Sequence, residues 1–169
     1  YSYVPIQKFN KLTPHNHQGV VAQLSEITFS SLEELLETHH SPGLFILLDG
    51  ITDTRNMGAI IRSAAAANAT AVVIPTSGSA QITGETIKTS AGGVFQVPIC
   101  RVSHIKDALY LLQSYNIQSI VADEKAEQNL FELDLTNAVA IIMGAEDKGV
   151  SQGVRKLCSQ AAKLPIVGH

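Results

Sequence analysis

The chain has 169 residues, 45% hydrophobic and 16% charged, with a formal net charge of −3. That length suits one domain with a full core. No apolar run approaches the roughly 18–20 residues of a membrane span, so a soluble, cytoplasmic protein is expected. Mild acidity excludes coating of nucleic acid by bulk charge, while a local basic patch remains compatible with RNA. The two cysteines, Cys100 and Cys158, lie far apart without histidine partners at ligand spacing, which excludes a disulfide framework and a zinc site. No metal is expected.

In chain order, residues 1–24 carry no acidic side chain, only Lys8, Lys11, His15 and His17 among mixed residues. They read as a linker or the tail of a preceding domain, with the main domain spanning residues 25–169. The chain starts at Tyr1 without an initiator Met or a signal-peptide pattern, so a longer parent polypeptide is expected. The triplet "HNH" at residues 15–17 lacks the metal-binding surround that nuclease chemistry needs. "SSLEELLETHH" predicts a short amphipathic helix: Ser30 or Ser31 with Glu33 or Glu34 forms a capping-box pattern, and Leu32, Leu35 and Leu36 share one face.

Short, continuously apolar runs at residues 44–49, 70–75, 118–123 and 138–144 predict strands covered on both faces. "VFQVPICRV" predicts another, broken strand, with Pro98 marking an edge or a bend. Helical segments are expected near residues 57–67, 83–90, 105–114 and 151–158. Strand and helix alternate, so the expected fold is α/β, a parallel sheet with helices on both faces.

Ligands of such sheets collect beyond the carboxyl ends of the strands, which directs attention to the turns after Asp49 and Met143. The first, "DGITDTRNMG", fills its turn with side chains and spaces Gly50 and Gly58 eight apart, unlike a dinucleotide-binding fingerprint. The second, "MGAEDKGVS", holds Glu146 between Gly144 and Gly149. Its glycines permit tight turns and close ligand approach, and Ser151 is placed to cap the next helix. On the helix after the first loop, Ile61, Ala65 and Asn68 fall near one face, while Asn56, Gly58 and Arg62 cluster toward the loop. The alanines at 64–67 read as core packing.

Together, "DGITDTRNMGAIIRSA" and "IIMGAEDKGVS" resemble the first and second motifs of the SpoU or TrmH family of RNA ribose methyltransferases in the SPOUT superfamily, and "KLPIVG" resembles the opening strand of the third. The resemblance runs from about Gly19 to the end. "LTPHNHQGVVA" further resembles the linker of the subgroup that methylates a guanosine of large-subunit ribosomal RNA, as in 23S rRNA. It implies methyl transfer from S-adenosylmethionine to a ribose 2'-hydroxyl of RNA, within a homodimer whose fold carries a C-terminal trefoil knot. It also implies cofactor contacts at Met143, Gly144, Leu164 and Ile166, and RNA-facing or catalytic roles for Asn56, Arg62 and Glu146. Thr54 departs from the proline common in the family, and no Ser-Leu-Asn-Val stretch follows "KLPIVG" before His169, so the knot is expected to be incomplete in this chain. A transfer-RNA ribose methyltransferase and a catalytically silent RNA-binding protein of the same fold are the alternatives; a Rossmann nucleotide-binding protein is disfavoured by the first turn.

Overall fold

The four apolar runs become the centre of a six-stranded sheet, because a strand apolar at every position can be covered on both faces. In the computed structural model, residues 3–12, 19–21, 27–38 and 42–165 are described. The elements in order are α1 (Ile6–Leu12), α2 (Leu32–Thr38), β1 (Leu44–Asp49), α3 (Thr54–Ala66), β2 (Ala71–Pro75), α4 (Gly84–Thr89), β3 (Ile99–Val102), α5 (Ile105–Ser114), β4 (Gln118–Ala122), β5 (Val139–Gly144), α6 (Gln152–Arg155) and β6 (Gln160–Ala162). The strand order is β3-β2-β1-β5-β4-β6 and every pairing is parallel.

The strand period of two divides each apolar run between two cores. Phe45 and Leu47 of β1, with Val73 and Cys100, pack with Leu32 and Leu36 of α2 and with Ile105, Leu109 and Leu112 of α5. Ile46 and Leu48, with Val72, Ile74 and Ile99, pack with Met57, Ile61 and Ala64 of α3. Helices therefore cover both faces, as expected from the alternation. Each fully buried aliphatic side chain contributes about 1.5–3 kcal/mol, and Leu47, Leu48, Ile61 and Leu112 are all completely buried.

Several boundaries differ from those predicted. Helix α3 starts at Thr54 rather than 57, because the Asp53 carboxylate accepts hydrogen bonds from the backbone N–H groups of Arg55 (2.7 Å) and Asn56 (3.0 Å). At its other end Ala66 and Ala67 are exposed, so only Ala64 and, in part, Ala65 serve as core. Asn68 does not share the face of Ile61; it lies past the helix, exposed, with φ 53°. Helix α6 stops at Arg155 instead of continuing to 158, since Ser159 N–H already bonds to Ser119 carbonyl beside β4. The predicted broken strand keeps only Ile99–Val102, at the sheet edge just after Pro98, while Gly93–Phe95 forms a 3-10 turn.

Among the described residues, the last strand precedes the "KLPIVG" segment instead of opening it. Gln160–Ala162 pairs with β4, and Lys163 makes a single bridge to Asn129. Ser31 Oγ accepts from Glu34 N–H (3.2 Å), which is one half of the expected capping box. Within residues 1–24, the segment Ile6–Leu12 is helical with none of its residues buried. The "HNH" triplet and Ile166 lie outside the described residues. Among the described residues, no helix is long and apolar enough to cross a membrane.

Candidate functional site

Strands β1 and β5 are parallel neighbours with Asp49 opposite Gly144, so both polar loops leave the same rim of the sheet side by side. A hydrogen bond joins them: Ser151 N–H donates to Asp49 Oδ2 at 2.7 Å. Ser151 occupies the N-cap position of α6, but its hydroxyl makes no cap bond; its contribution is this backbone tie to Asp49.

The loop at residues 145–150 folds back tightly. A Cβ on Gly144 would lie 2.0 Å from the Gly149 carbonyl carbon and 2.1 Å from the Val150 nitrogen. Gly144 is thus required by the loop's own closure. Gly149 N–H bonds to Ala145 carbonyl at 2.7 Å, and Gly149 itself has φ 65°, the left-handed region where a side chain is strained. Glycine at 58 is likewise a packing requirement, since a Cβ there would meet Thr89 Oγ1 of α4 at 1.9 Å.

Between the carboxyl ends of β4 and β5 lies a cavity of about 450 Å³, walled by Asp123, Gly144, Glu146, Lys148 and Arg155 among others. Asp123 and Arg155 form an ion pair across it. The Asp123 carboxyl is held below the usual range, first by the Lys125 backbone N–H and then by the Arg155 guanidinium. The fold thus commits Arg155 to a carboxylate. Arg55 pairs with Glu85 at 2.9 Å, and that hydrogen bond raises its pKa. Lys148 lies 3.9 Å from Asp147, and both are exposed.

The seven site residues inferred from sequence divide into distinct environments. Gly144 and Glu146 line the cavity. Met143 is half-buried and packs against the α3-side core, outside the cavity lining. Leu164 is exposed just beyond β6, and Ile166 lies outside the described residues. Asn56 and Arg62 stand exposed on α3, away from that lining. Among the described residues, the side chains of Asn56, Arg62 and Glu146 make no hydrogen bond or ion pair, whereas Asp49, Asp53, Arg55, Asp123 and Arg155 are all engaged.

Sequence reasoning passes over Asp49 and Asp123 as site residues. The signal is present, since both "LFILLD" and "QSIVAD" put an aspartate at the carboxyl end of an apolar strand. Both cysteines are free; burial pushes the Cys100 thiol up to about 11 and raises that of Cys158. They are protonated structural groups. Among the described residues, no group of three or more His, Cys, Asp or Glu side chains is arranged to hold a metal ion.

Comparison with known proteins gives this geometry its relatives. Residues 43–169 match the SpoU rRNA Methylase family. A protein of Pseudomonas putida named 23S rRNA (guanosine-2'-O-)-methyltransferase RlmB is 39% identical over 155 residues, covering 90% of this chain and 62% of that protein. A Burkholderia protein of the same name is 38% identical over 154 residues, with the same coverage of both chains. The chain therefore spans less than two thirds of the length of these relatives. Among solved structures, the SpoU methyltransferase AviRb from Streptomyces viridochromogenes, in complex with AdoMet, superposes with a TM-score of 0.75 at 25% identity, over 85% of this chain and 58% of that one. An AdoMet-bound rRNA methyltransferase from Sinorhizobium meliloti shares the fold with a TM-score of 0.72, at 24% identity over 84% of this chain and 54% of that one. With three quarters of its length matched by the family and over a third of its residues identical to such relatives, the chain belongs to the SpoU rRNA methylase family.

Proposed function

We propose that the protein transfers a methyl group from S-adenosylmethionine to a ribose 2'-hydroxyl of RNA, and that its substrate is a guanosine of 23S rRNA. The observation that carries this reading is the register of Asp49 with Gly144, which brings the two polar loops to one rim. The names of the relatives at 38–39% identity support the substrate.

The residues present fit the cofactor. The cavity beside Gly144 lies within the size range of small-molecule clefts, and its lining sets the carboxylates of Asp123, Glu124, Glu146 and Asp147 against the cations Lys125, Lys148 and Arg155, an excess of one negative charge toward a cationic sulfonium. In this reading Gly144, which lines the cavity, contacts the cofactor, while contacts from Met143, Leu164 and Ile166 rest on the family resemblance alone. Bound S-adenosylmethionine supplies an electrophilic methyl carbon. The protein's task is then alignment of the hydroxyl and balance of charge. Arg62 holds the ribose or its phosphate and stabilises developing negative charge on the oxygen. Glu146 orients Arg62 or Asn56, and a carboxylate or phosphate receives the proton. All three side chains are exposed and so open to a substrate.

The same reading includes a homodimer, a trefoil knot formed by the C-terminal segment, residues 1–24 as a linker from an RNA-binding domain, residues 25–169 as the catalytic domain, and action in the cytoplasm. A methyl-transfer assay with labelled S-adenosylmethionine on unmodified ribosomal and transfer RNA, followed by mapping of the methylated ribose, tests it. Label at one guanosine of 23S rRNA is expected. Label on transfer RNA redirects the substrate, and no label on either RNA with the full parent chain leaves a silent RNA-binding protein.

A further inference from the structure

A second cavity, of about 470 Å³, opens at the same rim on the α5 side of the sheet. Its floor is Asp49 and Gly50 after β1; its walls are the turn at Ser77 and Gly78 after β2, the start of α5 with His104, Lys106, Asp107 and Tyr110, and Ser151. Both carboxylates are engaged by backbone donors, Asp49 by Ser151 N–H and Asp107 by His104 N–H. Residues 144–150 line the cavity beside Glu146 and Ser151 lines this one, so the two cavities border the same loop.

Two features distinguish it from an ordinary crevice between elements. Tyr110 is 57% exposed although a ring of that size is ordinarily worth burying. Lys106, exposed at the start of α5, reaches toward α6, with its ammonium 2.7 Å from where a Gly153 Cβ would stand, which brings a cation to the cavity wall. An exposed aromatic face beside a cation is the combination that takes a stacked base and its phosphate.

From this arrangement we infer that the cavity is a nucleotide subsite: it receives an unpaired RNA nucleotide flanking the one presented to Glu146, with the base against Tyr110 and the phosphate at Lys106. The inference rests on the RNA-methyltransferase reading for its substrate class. Both cavities border the second polar loop, which favours a flanking residue of the same strand.

The test uses the full parent chain and a fluorescein-labelled single-stranded RNA of 12 nucleotides, with binding followed by anisotropy. Tyr110→Ala is expected to weaken binding about 5- to 100-fold, the range of one lost base–aromatic stack. Tyr110→Phe keeps the ring and is expected to stay within about twofold of the parent. Lys106→Gln is expected to lower the slope of log Kd against log salt by about 0.7, one phosphate contact on a single strand. Tyr110 is exposed, so neither variant at that position threatens folding, which thermal melting checks. Unchanged affinity in Tyr110→Ala, equal losses in the Ala and Phe variants, or no RNA binding by the parent chain would each overturn the subsite. The two readings separate: RNA binding that depends on Tyr110 without methyl transfer retains the subsite and removes the enzyme, and methyl transfer with normal KM in Tyr110→Ala does the reverse.

Discussion

Gly144→Ala isolates the contact that closes the second polar loop. The added methyl would sit 2.0 Å from the Gly149 carbonyl carbon, 2.1 Å from the Val150 nitrogen and 2.3 Å from the Gly149 oxygen. All three are backbone atoms, so no side chain can swing aside. Ordinary carbon contacts lie at about 3.5–4.0 Å, so the loop must retreat by about 1.5 Å. A movement of that size breaks two hydrogen bonds, Gly149 N–H to Ala145 carbonyl and Ser151 N–H to Asp49 Oδ2, both 2.7 Å. At about 0.5–1.5 kcal/mol each, the loss is about 1–3 kcal/mol, which agrees with the usual cost of overpacking. Urea unfolding measures it, with Gly84→Ala as the control, because nothing lies within 4 Å of a Cβ there and its φ is ordinary. Amide hydrogen exchange of Gly149 and Ser151 should accelerate in Gly144→Ala alone. A Gly144→Ala protein within about 0.5 kcal/mol of the parent, with normal exchange at Ser151, would refute a loop closed by backbone contact at Gly144.

Four further outcomes are expected. Arg62→Ala should lower the methyl-transfer rate about 10²–10³-fold without changing the melting temperature, and Arg62→Lys should recover little of it, since lysine keeps the charge without the planar fork; full activity in the lysine variant would remove the arginine from the reaction. Gly58→Ala should cost about 1–3 kcal/mol in unfolding experiments by forcing α4 from α3, and Thr89→Ala in the same chain should return part of that loss. Leu112→Ala, at a completely buried site under the α5-side core, should cost about 2–5 kcal/mol by the same measurement. The Asp123 pKa is lowered in the folded state, so its contribution to stability is present above the ordinary value of 3.8 and is lost as pH falls through the folded value; Asp123→Asn should flatten the acid side of the stability profile, read by unfolding at pH 2–7.

Much of the fold is legible in the sequence because it depends on local periodicity. "LFILLD" predicts β1 to the residue, and residues 105–114 predict α5 likewise. The segments that depart from expectation depend on partners distant in the chain. Gln160–Ala162 has little strand character of its own and becomes β6 because Val121 offers Ala161 a ladder position. The end of α6 is set by Ser119, forty residues before Ser159. In the site, the meeting of the two loops follows from the resemblance and is supported by the Asp49–Gly144 register. The engagement of Arg55 with Glu85 and of Arg155 with Asp123 is hidden, since ion pairs over 30 and 32 positions leave no mark in sequence spacing.

The distribution of polar groups along the rim follows a rule with a physical basis. Aspartates at strand ends, Asp49 and Asp123, lie where backbone and guanidinium donors from neighbouring loops converge, and both are consumed in pinning those loops. Glu146 stands one step further out, on a loop held at one end by the Gly144 contact and at the other by Asp49. The restraint is on the backbone of that loop, while the exposed Glu146 side chain keeps its rotamer freedom. The loop borders both cavities, residues 145–150 on one and Ser151 on the other. Loosening it through Gly144 would therefore disturb Glu146 and the Ser151 wall together, whereas truncating Tyr110 touches one side alone.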